Sequence, residues 1–180
     1  MSDTATLPPW QPQFEEWVDF AKPLFGQGKA KDAFGKYPWF TTEGDPFVKL
    51  NKPLSETRFG LITTGGYSIA GEQEPMRGYP TFGDEVPEIR PIPLDVDPAK
   101  LTINHPGYDH KYAEEDHNAN LPLDRLRELV ADGTIGSLAD ETLVLMGLQP
   151  NVGPLLEHTI PEIVERFKAD GVEAGLLVPS

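Results

Sequence analysis

The sequence predicts an open α/β fold: a mainly parallel sheet flanked by helices in Rossmann-like or flavodoxin-like layers, behind an aromatic-rich N-terminal arm. Three observations carry this. "RFGLITT" at 58–64 and "EAGLLVP" at 173–179 are near-continuous apolar runs, the pattern of strands buried on both faces. From residue 122 the pattern alternates helix, strand, helix, strand. Before residue 58 neither period is sustained, and aromatic residues crowd instead.

The arm, residues 1–57, holds ten of the seventeen aromatics, from Trp10 to Phe47. Phe14, Trp17, Val18 and Ala21 follow helical spacing, which predicts one helix ended by Pro23. The arm is expected to pack on the body and cover its core; the alternative is an assembly surface, and with it a homo-oligomer. The α/β body spans 58–180. After its first strand come Gly65 and Gly66, then a loop-rich stretch whose "EIRPIP" reads as an extended edge, since proline cannot donate to a central ladder. "KLTIN" at 100–104 is a short strand. Leu123, Leu126, Leu129 and Val130 give the next helix one apolar stripe, opened by Pro122 and stopped by Asp132-Gly133. "ETLVLMGL" at 141–148 is a strand. "TIPE" at 159–162 reads as a capping box opening a helix with Ile160, Ile163, Val164 and Phe167 as its buried face and Gly171 at its end. The last strand, 173–179, has no helix after it, so one βα crossover reads as unfinished and truncation is expected.

Composition removes several classes. The net charge of −14 argues against nucleic-acid backbones and anionic membrane surfaces. No run approaches the ~18 apolar residues of a membrane span, and the N-terminus lacks a signal-peptide pattern, so a cytoplasmic location is expected. There is no cysteine, which excludes disulfides, thiolate nucleophiles and Cys-type metal sites within these residues. Redox chemistry here needs a group from outside the chain.

The densest run of chemically useful side chains is "NHPGYDHKYAEEDHN" at 104–118, placed by the preceding strand at a carboxyl end. His105 is the side chain most easily tuned near neutral pH, with Asp109 positioned to orient or charge it and Tyr108 beside them. Asp116 and Asn118 suit an ammonium or carbonyl group, or equally the turn and cap bonds before the next helix. On a helix, His110, Glu114 and His117 would share a face and suggest a metal-dependent hydrolase, although their spacing matches no standard zinc pattern. Thr64, Gly65 and Gly66 in "TTGGYS" form a strand-to-glycine exit without a nucleotide-binding fingerprint, and Asn151 in "MGLQPNVG" leaves a strand at the same end. These join His105, Tyr108 and Asp109 as candidate cleft residues.

"PLSETRFGLITTGGYSI", "HPGYDHKYAEEDHN", "LPLDRLRELVADGTIGSLA" and "TIPEIVERFKADGVEAGLLVPS", in this order, resemble the selenoprotein B family of the glycine/sarcosine/betaine/D-proline reductases, particularly its short stand-alone members. The likeness runs from about residue 37 onward. In that family a strand like "LLVP" leads almost at once into a U-x-x-C or C-x-x-C motif, U being selenocysteine. The resemblance implies a selenocysteine directly after Ser180, encoded by a recoded stop codon, and no cofactor within the chain. It also implies reductive cleavage of a carbon–nitrogen bond in a small amino-acid-like substrate, with a thioredoxin-like or selenoprotein A-type redox partner and companion subunits, one of which carries a pyruvoyl group in some relatives. His105, Tyr108, Asp109, Asp116 and Asn118 match the family's motif positions and are thereby implicated in substrate handling. The alternative is a binding subunit that keeps the fold without catalysis.

Overall fold

The computed structural model describes residues 10–41, 44, 48–77 and 82–180; Phe47 of the aromatic arm lies outside these. Helix α1 (Trp10–Gly26) buries Trp10, Phe14, Trp17, Val18 and Ala21, the spacing expected of it. Pro23 does not end it but sits within its last turn. There the missing N–H costs one bond, and the helix runs on until Gly28 adopts φ +72°. A short α2 (Ala30–Phe34) follows. Among the described residues the arm's aromatics do not cover the sheet. They pack on one another, with Trp17 edge-on to Tyr37 at a centroid separation of 4.9 Å, and Phe82 and Val152 join them from the body. Tyr37 ties the two parts by donating its hydroxyl to the Pro150 carbonyl at 2.8 Å, and burial pushes its pKa up to about 12.

The body is a mixed, mostly parallel sheet centred on β1 (Arg58–Thr63), which lies along its full length beside β7 (Ala174–Val178), from Phe59↔Ala174 to Thr63↔Val178. The far side of β1 takes two consecutive pieces, β5 (Ser137–Leu138) and β6 (Glu141–Val144), both parallel to it. Outside β6 lies β3 (Arg90–Pro93), antiparallel, with Pro91 and Pro93 on an edge as their missing donors require. One face of the sheet, with Leu61, Leu138 and Val144, packs on α4 (Leu123–Ala131) through Leu123 and Leu126. The other, with Ile62, Leu143 and Leu145, packs on α5 (Ile160–Ala169) through Ile163 and Phe167.

Three expectations are corrected. "KLTIN" does form a strand, β4 (Leu101–Ile103), but it pairs antiparallel with β2 (Tyr67–Ile69) in a separate two-stranded ribbon. No capping box forms at 159–162. Thr159 is helical, buried, and donates its hydroxyl to the Pro87 carbonyl at 3.1 Å, while a π-helical turn, Leu155–Thr159, leads straight into α5. Pro161 has no N–H for the i−4 carbonyl, and a wider turn just before it is the usual accommodation. Of the face expected to be buried on α5, Ile163 is buried and Phe167 half-buried, whereas Ile160 and Val164 stand exposed.

Candidate functional site

The carboxyl ends of β1, β6 and β7 lie side by side, and the next residues of each meet around one histidine. Thr64 follows β1, Gly147 follows β6 and Ser180 follows β7. Their mutual placement is held by backbone bonds, Thr64 N–H to the Val178 carbonyl at 3.1 Å and Leu145 N–H to the Thr63 carbonyl at 2.9 Å, and by Ser180 N–H donating to Thr64 Oγ1 at 2.9 Å. A β-carbon added at Gly147 would lie 2.6 Å from His105 Nε2, 3.1 Å from the Ser180 carbonyl oxygen and 3.3 Å from that of Thr64. Only glycine allows the histidine, β6 and β7 to approach so closely.

His105 reaches this point although β4, which precedes it, lies outside the main sheet. Gly66, at φ +68°, turns the chain from β1 into β2, takes a bond at its carbonyl from Asn104 N–H and donates its own N–H to Leu145. The ribbon is thereby pinned to the sheet's carboxyl edge. The His105 ring is 4% exposed and fixed on several sides. Gly107 N–H donates to Nδ1 at 3.0 Å, the Tyr108 ring lies 4.8 Å away, and His110 Nε2–H donates to the His105 carbonyl. With Nδ1 accepting, the neutral ring carries its proton on Nε2, which has no hydrogen-bond partner among the described residues. Burial, helped by His110, lowers the His105 pKa, so the imidazole is neutral at pH 7. The orienting contact expected from Asp109 comes from Gly107; Asp109 instead accepts Lys111 N–H at 3.1 Å at the start of the short α3 (Lys111–Glu115).

Tyr108 belongs to a network that the sequence reading did not find. Its hydroxyl donates to the Gly65 carbonyl at 3.0 Å and accepts from Asn120 Nδ2 at 2.8 Å. The Tyr67 hydroxyl donates to Asn120 Oδ1, and Thr63 Oγ1 donates to the Asn120 carbonyl at 2.7 Å while accepting Gly65 N–H at 3.1 Å. Asn120 therefore locks the exit of β1 to the histidine loop. Burial raises the pKa of both tyrosines, which stay protonated at neutral pH. Nothing in the local pattern marks Asn120, because its partners come from 12, 53 and 57 residues upstream.

Asp116 and Asn118 occupy the N-terminal side of α4. Asn118 Oδ1 accepts Asp124 N–H at 3.0 Å, its amide donates to Asp116 and Asp124, and Asp116 Oδ1 accepts Asn118 N–H at 2.9 Å. These bonds, from Asn118 first, hold both carboxylates below their usual range. Asn151 is 4% exposed and bonds to Gly83 and Asp84 at 3.0 and 3.1 Å, bracing another loop. His110 lies 3.7 Å from Glu114, but extended backbone at Asp116 separates them from His117, which sits 3.2 Å from Asp124. Among the described residues no group of three His, Asp or Glu side chains is arranged to hold a metal ion. No helix among them is long and apolar enough to cross a membrane.

The family model for glycine/sarcosine/betaine reductase selenoprotein B matches residues 48–180. This chain belongs to that family. It is 30% identical over 131 residues to the D-proline reductase subunit gamma of Acetoanaerobium sticklandii, a match covering 73% of this chain and 52% of the relative. It is 30% identical over 129 residues to the glycine reductase complex component B subunit gamma of Carboxydothermus hydrogenoformans, covering 70% and 28%. The sarcosine reductase complex component B subunit beta of Peptoclostridium acidaminophilum is 28% identical over 119 residues, covering 66% and 27%. The chain thus spans about half the length of the first relative and under a third of the others. No solved structure matches it.

Proposed function

We propose that this chain forms the substrate-facing layer of a selenium- or thiol-dependent reductase that cleaves a carbon–nitrogen bond in a small amino-acid-like compound, with the redox residue directly after Ser180. The observation that carries the reading is the meeting of Thr64, Gly147 and Ser180 around the Nε2–H of His105, which has no partner among the described residues. A group entering the chain after Ser180 starts beside a buried, neutral hydrogen-bond donor at the edge where α/β sheets gather their ligands.

The chemistry proposed follows from the resemblance to the selenoprotein B family, whose relatives here are named as subunits of D-proline and glycine reductases. A selenolate or thiolate attacks the carbon bearing the amine. The new carbon–chalcogen bond forms as the carbon–nitrogen pair leaves on nitrogen, which takes a proton. A thiol then attacks the chalcogen, the carbon keeps the released pair and takes a proton, and a second thiol frees the chalcogenolate. Two thiols become a disulfide, the role of a thioredoxin-like or selenoprotein A-type partner in the cytoplasm. Companion subunits, including any pyruvoyl-bearing one, act in trans. In this scheme His105 donates from Nε2 to the anionic chalcogen or the substrate, and a neutral donor does so without trapping the nucleophile as an ion pair. Tyr108, bonded to Gly65 and Asn120, positions the His105 ring by contact.

The test is to sequence the DNA beyond codon 180 and to measure selenium in the protein made by its native host. A UGA followed in frame by a cysteine codon and a further helix and strand is expected, together with one selenium per chain. An in-frame cysteine codon at that place would give the thiol form. A UAA or UAG with no open frame behind it refutes the reading.

A further inference from the structure

The carboxyl edge of the sheet holds a second feature that the His105 centre leaves unused. Where β6 ends beside the start of β3 lies a cavity of about 430 Å³, within the range of small-molecule sites. Met76 and Met146 line it, and both are buried. Each also belongs to the frame of the His105 centre. Asn104, the residue before His105, donates its side-chain amide to the Met76 carbonyl, and Met146 immediately precedes Gly147. A β-carbon added at Gly66 would meet the Met146 methyl and the His105 β-carbon, each at 3.1 Å. A molecule in the cavity therefore rests on the thioether that packs beside the stem of His105.

The charges around the cavity fall into a closed set and an open one. Arg90 is closed: its guanidinium donates to Glu88 from Nε at 3.0 Å and again from an Nη nitrogen, to Ser68 Oγ at 3.3 Å and to the Glu74 carbonyl. The side chains of Arg77, Glu74 and Glu85 are open, with no ion pair or hydrogen bond among the described residues. One free guanidinium and two free carboxylates around one cavity fit a ligand that carries both charges. The guanidinium fork matches a carboxylate, and the glutamates match an ammonium group. A carboxylate without the amine meets Glu74, Glu85 and a chain of net charge −14. An amine without the carboxylate leaves Arg77 unanswered. The two thioethers, flexible and polarizable, suit a hydrocarbon body, which glycine does not have.

We propose that this cavity binds the substrate as a zwitterionic amino acid with a hydrocarbon body, its carboxylate on Arg77, its amine facing Glu74 and Glu85, and its body against Met76 and Met146. The inference rests on the reductase reading and names the residues that select the substrate for it. Arg77 sets the requirement for a carboxylate, and the methionines favour a larger amino acid over glycine. Arg90 and Glu88, already bonded to each other, hold the wall.

Met76 and Met146 are two of the chain's three methionines, so isotope labelling of the methionine methyls lets NMR report on the cavity directly. The probes are the two enantiomers of proline, glycine, pyrrolidine (the amine without the carboxylate) and cyclopentanecarboxylate (the carboxylate without the amine). The better-binding proline is expected to shift both methyl signals and to bind roughly tenfold or more tighter than glycine, pyrrolidine or cyclopentanecarboxylate. Arg77→Met should weaken that proline roughly tenfold and remove its advantage over pyrrolidine. Arg77 is exposed and bonds to no described residue, so its loss leaves the fold intact. Arg125→Met, on the exposed surface of α4, should leave binding unchanged. Methyl signals that no probe moves overturn the proposal. So does glycine binding as tightly as proline, or proline binding that ignores Arg77→Met. Binding is read without redox chemistry, which separates the two readings. Unmoved methyls with selenium present in the native protein sink only the cavity proposal, and shifted methyls without any chalcogen in the native protein sink only the reductase.

Discussion

A ring held neutral by burial has consequences for stability as well as chemistry. The folded pKa of His105 lies below its ordinary value, so the unfolded chain binds the extra proton first as pH falls. Its contribution to stability is complete above about pH 6.5, the ordinary histidine value, and is lost as pH drops from there towards the lowered folded value. Urea midpoints at pH 7.5 and 5.5 are expected to fall further for the native sequence than for His105→Gln, and equal slopes would show that the ring is accessible to protons when folded. Two residues after the closely packed Met146 is Leu148, the one non-glycine residue at positive φ (55°) among those described, and it is 52% exposed. It spends strain without a matching gain in burial. Leu148→Gly should raise stability by about 1 kcal/mol in urea melts. A loss would mean that the leucine contact matters more than the backbone.

Elements here are joined by a few polar side chains, and Asn120 is the clearest case. It lies between two short helices, yet it bonds to β2 through Tyr67, to the histidine loop through Tyr108 and to the end of β1 through Thr63. Asn120→Ala takes the acceptor from the Tyr67 hydroxyl and the donor from the Tyr108 hydroxyl, both half-buried or buried, and should cost about 1–3 kcal/mol. Combined with Tyr67→Phe, which removes one of those hydroxyls, the loss should be smaller than the sum of the two single losses; strict additivity in the double-mutant cycle would show that the residues do not act together. The same distinction explains what the sequence discloses about elements. Leu123, Leu126 and their stripe, or Phe14, Trp17 and Ala21, announce helices because the signal is local. Thr159 reads as a cap on local grounds, but its hydroxyl is claimed by Pro87, 72 residues away, and the helix simply continues through it. β2 was hidden because three residues between a glycine turn and a loop carry too little pattern. His105 and Tyr108 were legible by residue type; the Asn120 node and the Gly147 approach exist only once distant strands are side by side.

For the molecule as a whole, the parallel core was readable from apolar runs, whereas the neighbours of each strand were not: periodicity puts "KLTIN" in a strand without saying that its partner is β2 rather than β1. Charge is a whole-molecule property as well, and it makes a prediction that no single contact does. The chain carries 29 acidic and 15 basic side chains. Its ion pairs are mostly exposed, such as Lys100–Glu72 and Arg125–Glu128, and pairs of that kind contribute about 0–1 kcal/mol each. A better-sheltered pair is made by Arg58, which bonds Asp170 at 2.6 Å across the base of the sheet and whose pKa is raised by that carboxylate. Repulsion among the unmatched carboxylates acts over longer distances and opposes compaction. Salt shortens its reach from about 30 Å at 0.01 M to about 8 Å at 0.15 M while leaving short, sheltered pairs largely intact. The thermal midpoint should therefore rise as sodium chloride increases between these concentrations at pH 7.5, before salting-out effects enter. The rise should shrink at pH 4.5, where part of the carboxylate charge is neutralised. A midpoint that falls with salt would mean that specific pairs such as Arg58–Asp170 outweigh the global field, and Arg58→Met would then abolish the salt dependence rather than leave it unchanged.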